Sequence, residues 1–186
     1  MKSTLISSLA ALAVTAGVAQ AQGFELTSPD VAPGQTIGMR YVFNGFGCTG
    51  QNISPALRWK NAPAGTKSFA VMVHDPDAPT GGAGFWHWVA VNIPATTTAL
   101  KQGAGTVDGL ELPPGTVQIA TDYGSPGWGG PCPPVGDAPH HYNFTVYALN
   151  VDKLELPATA TASLTGFMVN SHALAKATLS ARFGRK

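Results

Sequence analysis

The 186-residue sequence predicts a mainly β protein, and three observations support that fold class. Short runs rich in β-branched and aromatic residues recur along the chain, several with alternating apolar and polar positions. Clusters of Gly, Pro, Asn and Asp bound each run. Long helices do not alternate with these runs, which argues against a doubly wound α/β fold. The predicted strands are 39–43 (MRYVF), 68–73 (SFAVMV), 86–91 (WHWVAV), 117–121 (VQIAT) and 142–149 (YNFTVYAL).

One helix is predicted near the C-terminus, over residues 163–175 (SLTGFMVNSHALA). Its apolar positions recur at spacings of three and four, and Ser163 is a candidate N-cap. A last strand is predicted over residues 177–183. Long loops of the kind that usually carry function connect these elements. The predicted loops, rich in Gly and Pro, are 44–56, 75–84, 101–116 and 123–139.

Residues 1–21 have the layout of a secretory signal peptide, with one lysine, an apolar stretch and a small-residue triplet that ends at Ala21. A membrane anchor is the less favoured alternative, because the apolar run from Leu5 to Val18 is shorter than the ~20 residues that span a bilayer. No repeat or linker divides the rest of the chain. We therefore expect cleavage after Ala21 and a single exported domain over residues 22–186, periplasmic or secreted.

The charge balance gives no sign of a nucleic-acid partner. Charged residues make up 11% of the chain, well below the ~25% typical of soluble domains. Removal of the leader takes away only Lys2, after which basic and acidic residues balance. Because no basic run stands out, the electrostatic footprint of a nucleic-acid-binding protein is missing, and we set that class aside.

The chain has two cysteines, Cys48 and Cys132. In an exported protein the default expectation is a disulfide, and closure of a loop of this length would stabilise the fold by about 4 kcal/mol on the chain-entropy model. The alternative is two buried thiols that never meet.

Polar residues gather close to the ends of three predicted strands. Asp75 follows one strand, His87 lies near the start of another, and His140 and Tyr142 begin a third. Successive strand residues point to opposite faces, so His140 and Tyr142 share one face and His141 takes the other. Two imidazoles and a phenol hydroxyl offer hydrogen-bond donors, and a carboxylate can hold one imidazole in a chosen tautomer. This set suits a phosphate-like oxyanion.

Other interpretations of the same residues remain open at this point. The histidines and aspartates, with His74 and Asp77 included, could bind a transition metal, although no pair has the helical i, i+4 ligand spacing. They could also form a structural network of hydrogen bonds. For Asp77 the favoured interpretation is a turn, since Asp-Pro and Ala-Pro are common turn formers.

Five further motifs stand out along the chain: NISP at 52–55, KSFA at 67–70, DPDAPT at 75–80, GFWHWVAVNIP at 84–94 and GPCPPVGDAPHHYNFTVYAL at 130–149. With these motifs, the sequence from about residue 24 to residue 183 resembles the phosphatidylethanolamine-binding protein family, also called Raf kinase inhibitor-like proteins, and within it the exported bacterial YbhB/YbcL-type branch. In combination the motifs are highly specific for the family.

The resemblance implies a large antiparallel sheet packed on a smaller one, with an anion pocket at strand ends. The polar core of this pocket would be Asp75, His87, His140 and Tyr142. It also implies cis peptides at Pro79 and Pro134, and no cofactor or metal. The implied wall and backbone residues of the pocket are Trp86, Trp128, Cys132 and Pro134.

Two positions depart from the family pattern. The family often has arginine where this chain has His141, so a partner contact made by that arginine is in doubt, while the pocket should survive. Other members have a small residue at the position of Cys132. We therefore expect a disulfide between Cys48 and Cys132 to brace the pocket loop.

The function expected from these residues is non-enzymatic binding of a phosphate-type anion, such as a phospholipid headgroup or a phosphorylated ligand like phosphorylethanolamine. The alternative is an inhibitor of a protease or kinase that acts through surface loops. Bacterial members of the family include homodimers, which makes a homodimer a further expectation from the resemblance. If the site uses an imidazolium, binding should tighten below about pH 6.5, the reference histidine value.

Overall fold

The computed structural model describes residues 23–186. The expected signal peptide and its cleavage point lie outside these residues. Within this range no helix is long and apolar enough to cross a membrane.

The structure consists of ten short or medium strands and one α-helix across the described range. In chain order they are β1 Glu25–Thr27, β2 Asn44–Gly45, β3 Cys48–Thr49, β4 Leu57–Lys60, β5 Ser68–Asp75, β6 Phe85–Pro94, β7 Ala99–Leu100, β8 Val117–Gln118, β9 His140–Leu149, α1 Ala162–His172 and β10 Ala173–Phe183.

The strands form a large sheet and a small sheet, as expected, together with a separate hairpin. The large sheet has five strands in the order β10-β9-β5-β6-β8, and the small sheet has three in the order β1-β4-β7. Strands β2 and β3 pair as a separate hairpin. All named strand pairs are antiparallel. The mainly β fold class and the large-on-small sheet arrangement are confirmed.

Strand β5 is buried on both faces of the large sheet, which explains why it is almost continuously apolar. One face packs into a core that includes Leu57 and Trp59 of the small sheet. The other face packs against α1 through Ala162 and Val169. Alternate residues of β5 serve the two cores in turn, so neither face offers a polar stripe to the solvent.

The helix and the last strand differ from the prediction at their shared boundary. The helix begins at Ala162, with Thr161 as its N-cap: the Thr161 side chain accepts a hydrogen bond from the Leu164 backbone N–H at 3.1 Å. Ser163 is therefore not the cap. The helix ends at His172 because Ala173 already pairs with Leu149 of β9, so tertiary pairing overrides the local helical pattern.

Two predicted strands are shorter or absent. Residues 39–41 form a 3-10 helix, not a strand. The backbone of this segment bonds to other loops, since the carbonyl of Val42 accepts from the Asn52 N–H and that of Tyr41 from the Trp128 ring N–H. The strand predicted over 117–121 pairs only at Val117 and Gln118. After that the chain turns, and Thr121 donates its N–H to Ser125.

A β-bulge in β6 decides where His87 points. Val73 of β5 pairs with Trp88 and His74 pairs with Trp86, so His87 is an extra residue on β6. Regular alternation would put Trp86 and Trp88 on one face. The bulge instead places Trp88 in the core shared with the small sheet and Trp86 in the core under α1. His87 joins Trp88 on the first of these faces, beside the strand ends that carry Asp75 and Tyr142.

Candidate functional site

A cavity with a volume of about 170 Å³ opens at one end of the large sheet, where β5 ends and β9 begins. The structure brings the four predicted polar residues together in its wall. The lining residues are Phe46, Asp75, Ala78, Pro79, Thr80, Phe85, His87, Tyr123, Cys132, Pro133, Pro134, His140 and Tyr142.

Asp75 is the buried carboxylate that organises this wall; only 3% of the residue is exposed. Its Oδ1 accepts hydrogen bonds from the backbone N–H groups of Asp77 at 2.8 Å and Ala78 at 3.1 Å. Its Oδ2 lies 2.8 Å from Nδ1 of His140. The carboxylate therefore closes the turn after its own strand and holds the imidazole of another strand.

The two adjacent histidines separate as the alternation of the strand predicts. His140 is buried in the pocket wall, whereas His141 is half exposed on the other face. Both the backbone N–H and Nδ1 of His141 lie 2.7 Å from Oδ2 of Asp77. The hydrogen bond from the His141 backbone lowers the pKa of the Asp77 carboxyl. Asp77 thus links the turn to the strand and stays outside the pocket lining, in keeping with the turn interpretation.

His87 presents a bare nitrogen to the cavity. Its Nδ1 lies 2.6 Å from the carbonyl oxygen of Gly129. Because a carbonyl can only accept, Nδ1 carries the proton and Nε2 of the neutral ring is an acceptor. Nε2 is buried and makes no hydrogen bond within residues 23–186. Burial lowers the pKa of His87 to about 4, so the reference value behind the expected change near pH 6.5 does not apply to this residue.

The Tyr142 hydroxyl is a second buried polar group, and the Asp75 carboxylate is its polar neighbour in the pocket wall. Its Oη makes no hydrogen bond among the described residues, and its ring meets that of His87 edge-on, with centroids 5.1 Å apart. Burial, and next the charge of Asp75, raises the pKa of this hydroxyl. The group therefore stays protonated and can donate a hydrogen bond to a ligand.

Two of the four expected wall residues are elsewhere. Trp128 is buried in the core, stacked on Phe144, and its ring N–H donates to the Tyr41 carbonyl. Trp86 packs under α1 on the opposite face, because of the bulge. These two assignments are wrong: whether an aromatic ring in this fold fills a pocket or the core depends on bulges and long-range packing. Cys132 and Pro134 do line the cavity.

The expected cis peptides are also wrong. Every peptide bond in the described range is trans, those before Pro79 and Pro134 included. Both prolines still line the cavity. The loops that contain them are held by Asp75 on one side and by a disulfide on the other, so the turn geometry does not need a cis bond.

The disulfide joins Cys48 to Cys132, 84 residues apart in sequence. It ties the β2–β3 hairpin to the pocket loop. Nη1 of Arg185 lies 2.9 Å from the Cys48 sulfur and 3.2 Å from the Cys132 sulfur. The Arg185 carbonyl also accepts from the Gly136 N–H. The C-terminal residues therefore hold both loops that form this side of the cavity.

An aromatic rim was missed by the sequence analysis. The Phe85 and Tyr123 rings meet edge-on with centroids 4.8 Å apart, and the Phe46 ring lies 5.7 Å from Tyr123. Phe46 is 75% exposed and has a φ of 51° at the tip of the β2–β3 hairpin. A bulky side chain in the left-handed region signals a constrained turn. Of the three rim residues, only Phe85 could have been found from the sequence, because it directly precedes the WHW segment that contains His87.

Metal binding finds no support in this arrangement. Across the residues that the structure describes, no group of three or more His, Cys, Asp or Glu side chains is placed to hold a metal ion. The carboxylates and imidazoles are instead engaged pairwise with one another and with backbone groups.

The fold and the cavity define a β-sheet protein with a preformed, partly polar pocket at the strand ends. The model of the phosphatidylethanolamine-binding protein family matches residues 27–184. The chain belongs to this family.

Two Escherichia coli proteins are similar over most of the chain. The UPF0098 protein YbcL is 49% identical over 177 residues, which covers 95% of each chain. The UPF0098 protein YbhB is 48% identical over 160 residues, 86% of this chain and 99% of YbhB. The crystal structure of YbcL, described as a new member of the mammalian PEBP family, superposes with a TM-score of 0.85 at 48% identity, over 88% of this chain and 99% of that one.

Proposed function

We propose that this protein is a non-enzymatic binding protein whose pocket holds a phosphate-type anion, such as a phospholipid headgroup or a small phosphorylated ligand. One observation carries the proposal: His87 Nε2 and Tyr142 Oη are buried at the cavity and make no hydrogen bond within the described residues. Buried polar atoms of this kind cost about 1–3 kcal/mol each when unpaired. A ligand that bonds to both recovers that free energy.

One of the two atoms donates a hydrogen bond and the other accepts one, and this pair of requirements defines the ligand. Tyr142 O–H donates, so it needs an oxygen with a lone pair. His87 Nε2 accepts while the ring is neutral, so it needs a ligand O–H. A singly protonated phosphate monoester has both groups, because its second pKa is about 6. A phosphodiester, as in an intact phospholipid, has no such O–H.

The size and charge of the cavity are consistent with a small headgroup. Its volume of about 170 Å³ is below the roughly 300–1,000 Å³ of pockets for drug-sized ligands. Neither Lys nor Arg is among its lining residues, and Asp75 contributes a buried carboxylate. A fully ionised phosphate would therefore meet a negative neighbour, which again favours the singly protonated form.

Our proposal of binding without turnover rests on the nucleophiles at the site. Cys132 is oxidised in the disulfide. The hydroxyl of Thr80 lies 3.0 Å from the Gly84 carbonyl and has no basic side chain among its hydrogen-bond partners. Activation of a hydroxyl or thiol requires an adjacent base or a lowered pKa.

We also propose that the protein is exported. The leader-like residues 1–21 favour this location, and a disulfide at the pocket wall is typical of an oxidising compartment.

Isothermal titration of the oxidised protein with inorganic phosphate and with phosphorylethanolamine tests the proposal. We expect saturable binding that His87→Ala weakens strongly. Tyr142→Phe serves as a second variant in case His87→Ala fails to fold, and His172→Ala at the end of α1 is the matched control. Absence of heat at millimolar ligand would refute the proposal and turn attention to inhibition through surface loops. Release of free phosphate from the ester would refute the non-enzymatic assignment.

The same titration against pH separates the two ligand sources. From pH 8 to pH 5 free His87 stays neutral, since burial holds its pKa at about 4. Affinity for phosphorylethanolamine should rise as pH falls through about 6, where the ester takes up its proton. Affinity for glycerophosphoethanolamine, a diester with no such proton, should be weaker and flat. Stronger binding of the diester would favour an intact lipid headgroup and would contradict the role of the ligand O–H.

A further inference from the structure

His140 lies between two carboxylates that differ sharply in exposure. Nδ1 is 2.8 Å from Oδ2 of Asp75, and Nε2 is 3.4 Å from Oδ2 of Asp137. The side chains of His140 and Asp75 are 5% and 4% exposed, whereas that of Asp137 is 42% exposed. One carboxylate is thus built into the pocket wall, and the other lies on a surface loop with room to move away.

Only Nε2 of His140 is left for a bound anion. Asp75 accepts the proton of Nδ1, so Nε2 donates a hydrogen bond to an anion only in the doubly protonated, cationic form of the ring. An oxygen of Asp137 therefore lies where an anionic ligand oxygen would need to lie to bond to Nε2. Asp77, the third carboxylate nearby, is already engaged by the backbone and ring of His141.

Asp137 has no competing role in the described structure. Its contact with His140 is the one ion pair that it makes within residues 23–186. It lines a shallow cleft that adjoins the main cavity and shares His140 with it. The groups that face His140 are therefore Asp75 and Asp137 directly, Asp77 at longer range, and the Tyr142 hydroxyl on the same strand face.

We propose that Asp137 is a specificity-determining residue that competes with the bound anion for Nε2 of His140 and so weakens the binding of anions, most of all doubly charged ones. This inference rests on the proposed function. A ligand must displace the carboxylate or bind beside it, and each added negative charge on the ligand increases the repulsion. At about 5 Å in water, one pair of like charges corresponds to about a fourfold change in affinity.

Asp137→Asn tests this role, because it removes the charge from an exposed loop position and nearly keeps the shape. We expect inorganic phosphate at pH 7.5, largely the dianion, to bind at least about fourfold more tightly to the variant. The gain should be smaller at pH 5.5, where the monoanion dominates. Asp137→Glu, which restores the charge, should return the affinity toward that of the wild type, and a purely structural role would not produce this charge-dependent pattern.

Asp152→Asn is the matched control. Asp152 is an aspartate whose side chain is 84% exposed and lies 3.7 Å from Lys67, the residue before β5 begins at the end of the strand away from the pocket. The phosphate affinity of the Asp152→Asn variant should equal that of the wild type. Unchanged or weaker binding by Asp137→Asn, in a wild type that binds, overturns the role of Asp137 and leaves the proposed function standing. Binding by Asp137→Asn alone would support the role of Asp137 and would refute phosphate binding as the function of the wild type, and no binding by either protein overturns both.

Discussion

Asp75 Oδ2 and His140 Nδ1 lie 2.8 Å apart on the neighbouring strands β5 and β9, and both side chains are almost fully buried. The other oxygen of the same carboxylate accepts two backbone N–H groups of the turn that follows β5. One side chain therefore positions both a pocket loop and a pocket histidine. A buried hydrogen-bonded pair of this kind is costly to break from one side, because the remaining partner is left unsatisfied.

Two replacements of Asp75 should distinguish its role in the turn after β5 from its hydrogen bond to His140. Asp75→Ala should lower the free energy of unfolding by about 3 kcal/mol, because it leaves the buried His140 ring and two backbone N–H groups of the turn unpaired. Asp75→Asn should cost less, since the amide oxygen can still accept both backbone bonds. Urea unfolding at pH 7 measures the difference, with Asp152→Ala as the control. Equal costs for the alanine and asparagine variants would contradict the role of Oδ1 in the turn.

Tyr142→Phe should leave the fold intact while it weakens ligand binding. The hydroxyl makes no hydrogen bond within the described structure, so its loss should leave the free energy of unfolding unchanged or slightly raised. Phosphate affinity should fall about fivefold, the equivalent of one net hydrogen bond of about 1 kcal/mol. Tyr147→Phe makes the same chemical change in the core under α1 and should not affect binding. A loss of stability with unchanged affinity would mean that the hydroxyl is structural.

His87 should make stability depend on pH. Burial lowers its pKa to about 4 in the folded protein, against about 6.5 in the unfolded chain. Between these values the unfolded state binds the extra proton, so stability falls as pH falls from 6.5 toward 4. From pH 7 to pH 5 the loss due to His87 should be about 2 kcal/mol.

Urea unfolding of the wild type and of His87→Gln at both pH values isolates this contribution. The variant should lose about 2 kcal/mol less than the wild type over the same interval. His172→Gln, at the end of the helix, controls for the loss of an imidazole as such. If the free energy of unfolding depends on pH in the same way in the wild type and in His87→Gln, a group other than His87 causes the loss of stability at low pH.

Removal of the disulfide should affect both stability and the pocket. On the chain-entropy model, a cross-link between residues 84 apart contributes about 4 to 5 kcal/mol. The double variant Cys48→Ser with Cys132→Ser should lose much of that, and phosphate binding should weaken because Cys132 lines the cavity. Thermal unfolding of the oxidised, reduced and double-variant proteins measures the first effect, and titration measures the second. If a folded double variant binds phosphate as tightly as the wild type, the pocket loop keeps its binding conformation without the disulfide.

Local patterns in the sequence predicted most of the large sheet and the four polar residues that line the cavity. Apolar runs bounded by turn residues located β5, β6 and β9, because strand formation there follows a local pattern. Alternation along β9 correctly assigned His140 and Tyr142 to one face and His141 to the other. The cysteine pair in an exported-type chain anticipated the disulfide that the structure contains.

The chemistry of the pocket depends on tertiary contacts that no local sequence pattern predicts. The bulge that turns His87 toward Tyr142 arises from the pairing of β5 with β6, and the sequence of β6 does not show it. The lowered pKa of His87 comes from burial by distant segments. The ring of Trp128 fills the core, and the carboxylate of Asp75 reaches His140, through packing between segments far apart in sequence. Alternation is a local property of the chain, whereas burial, bulges and charge proximity depend on which segments meet.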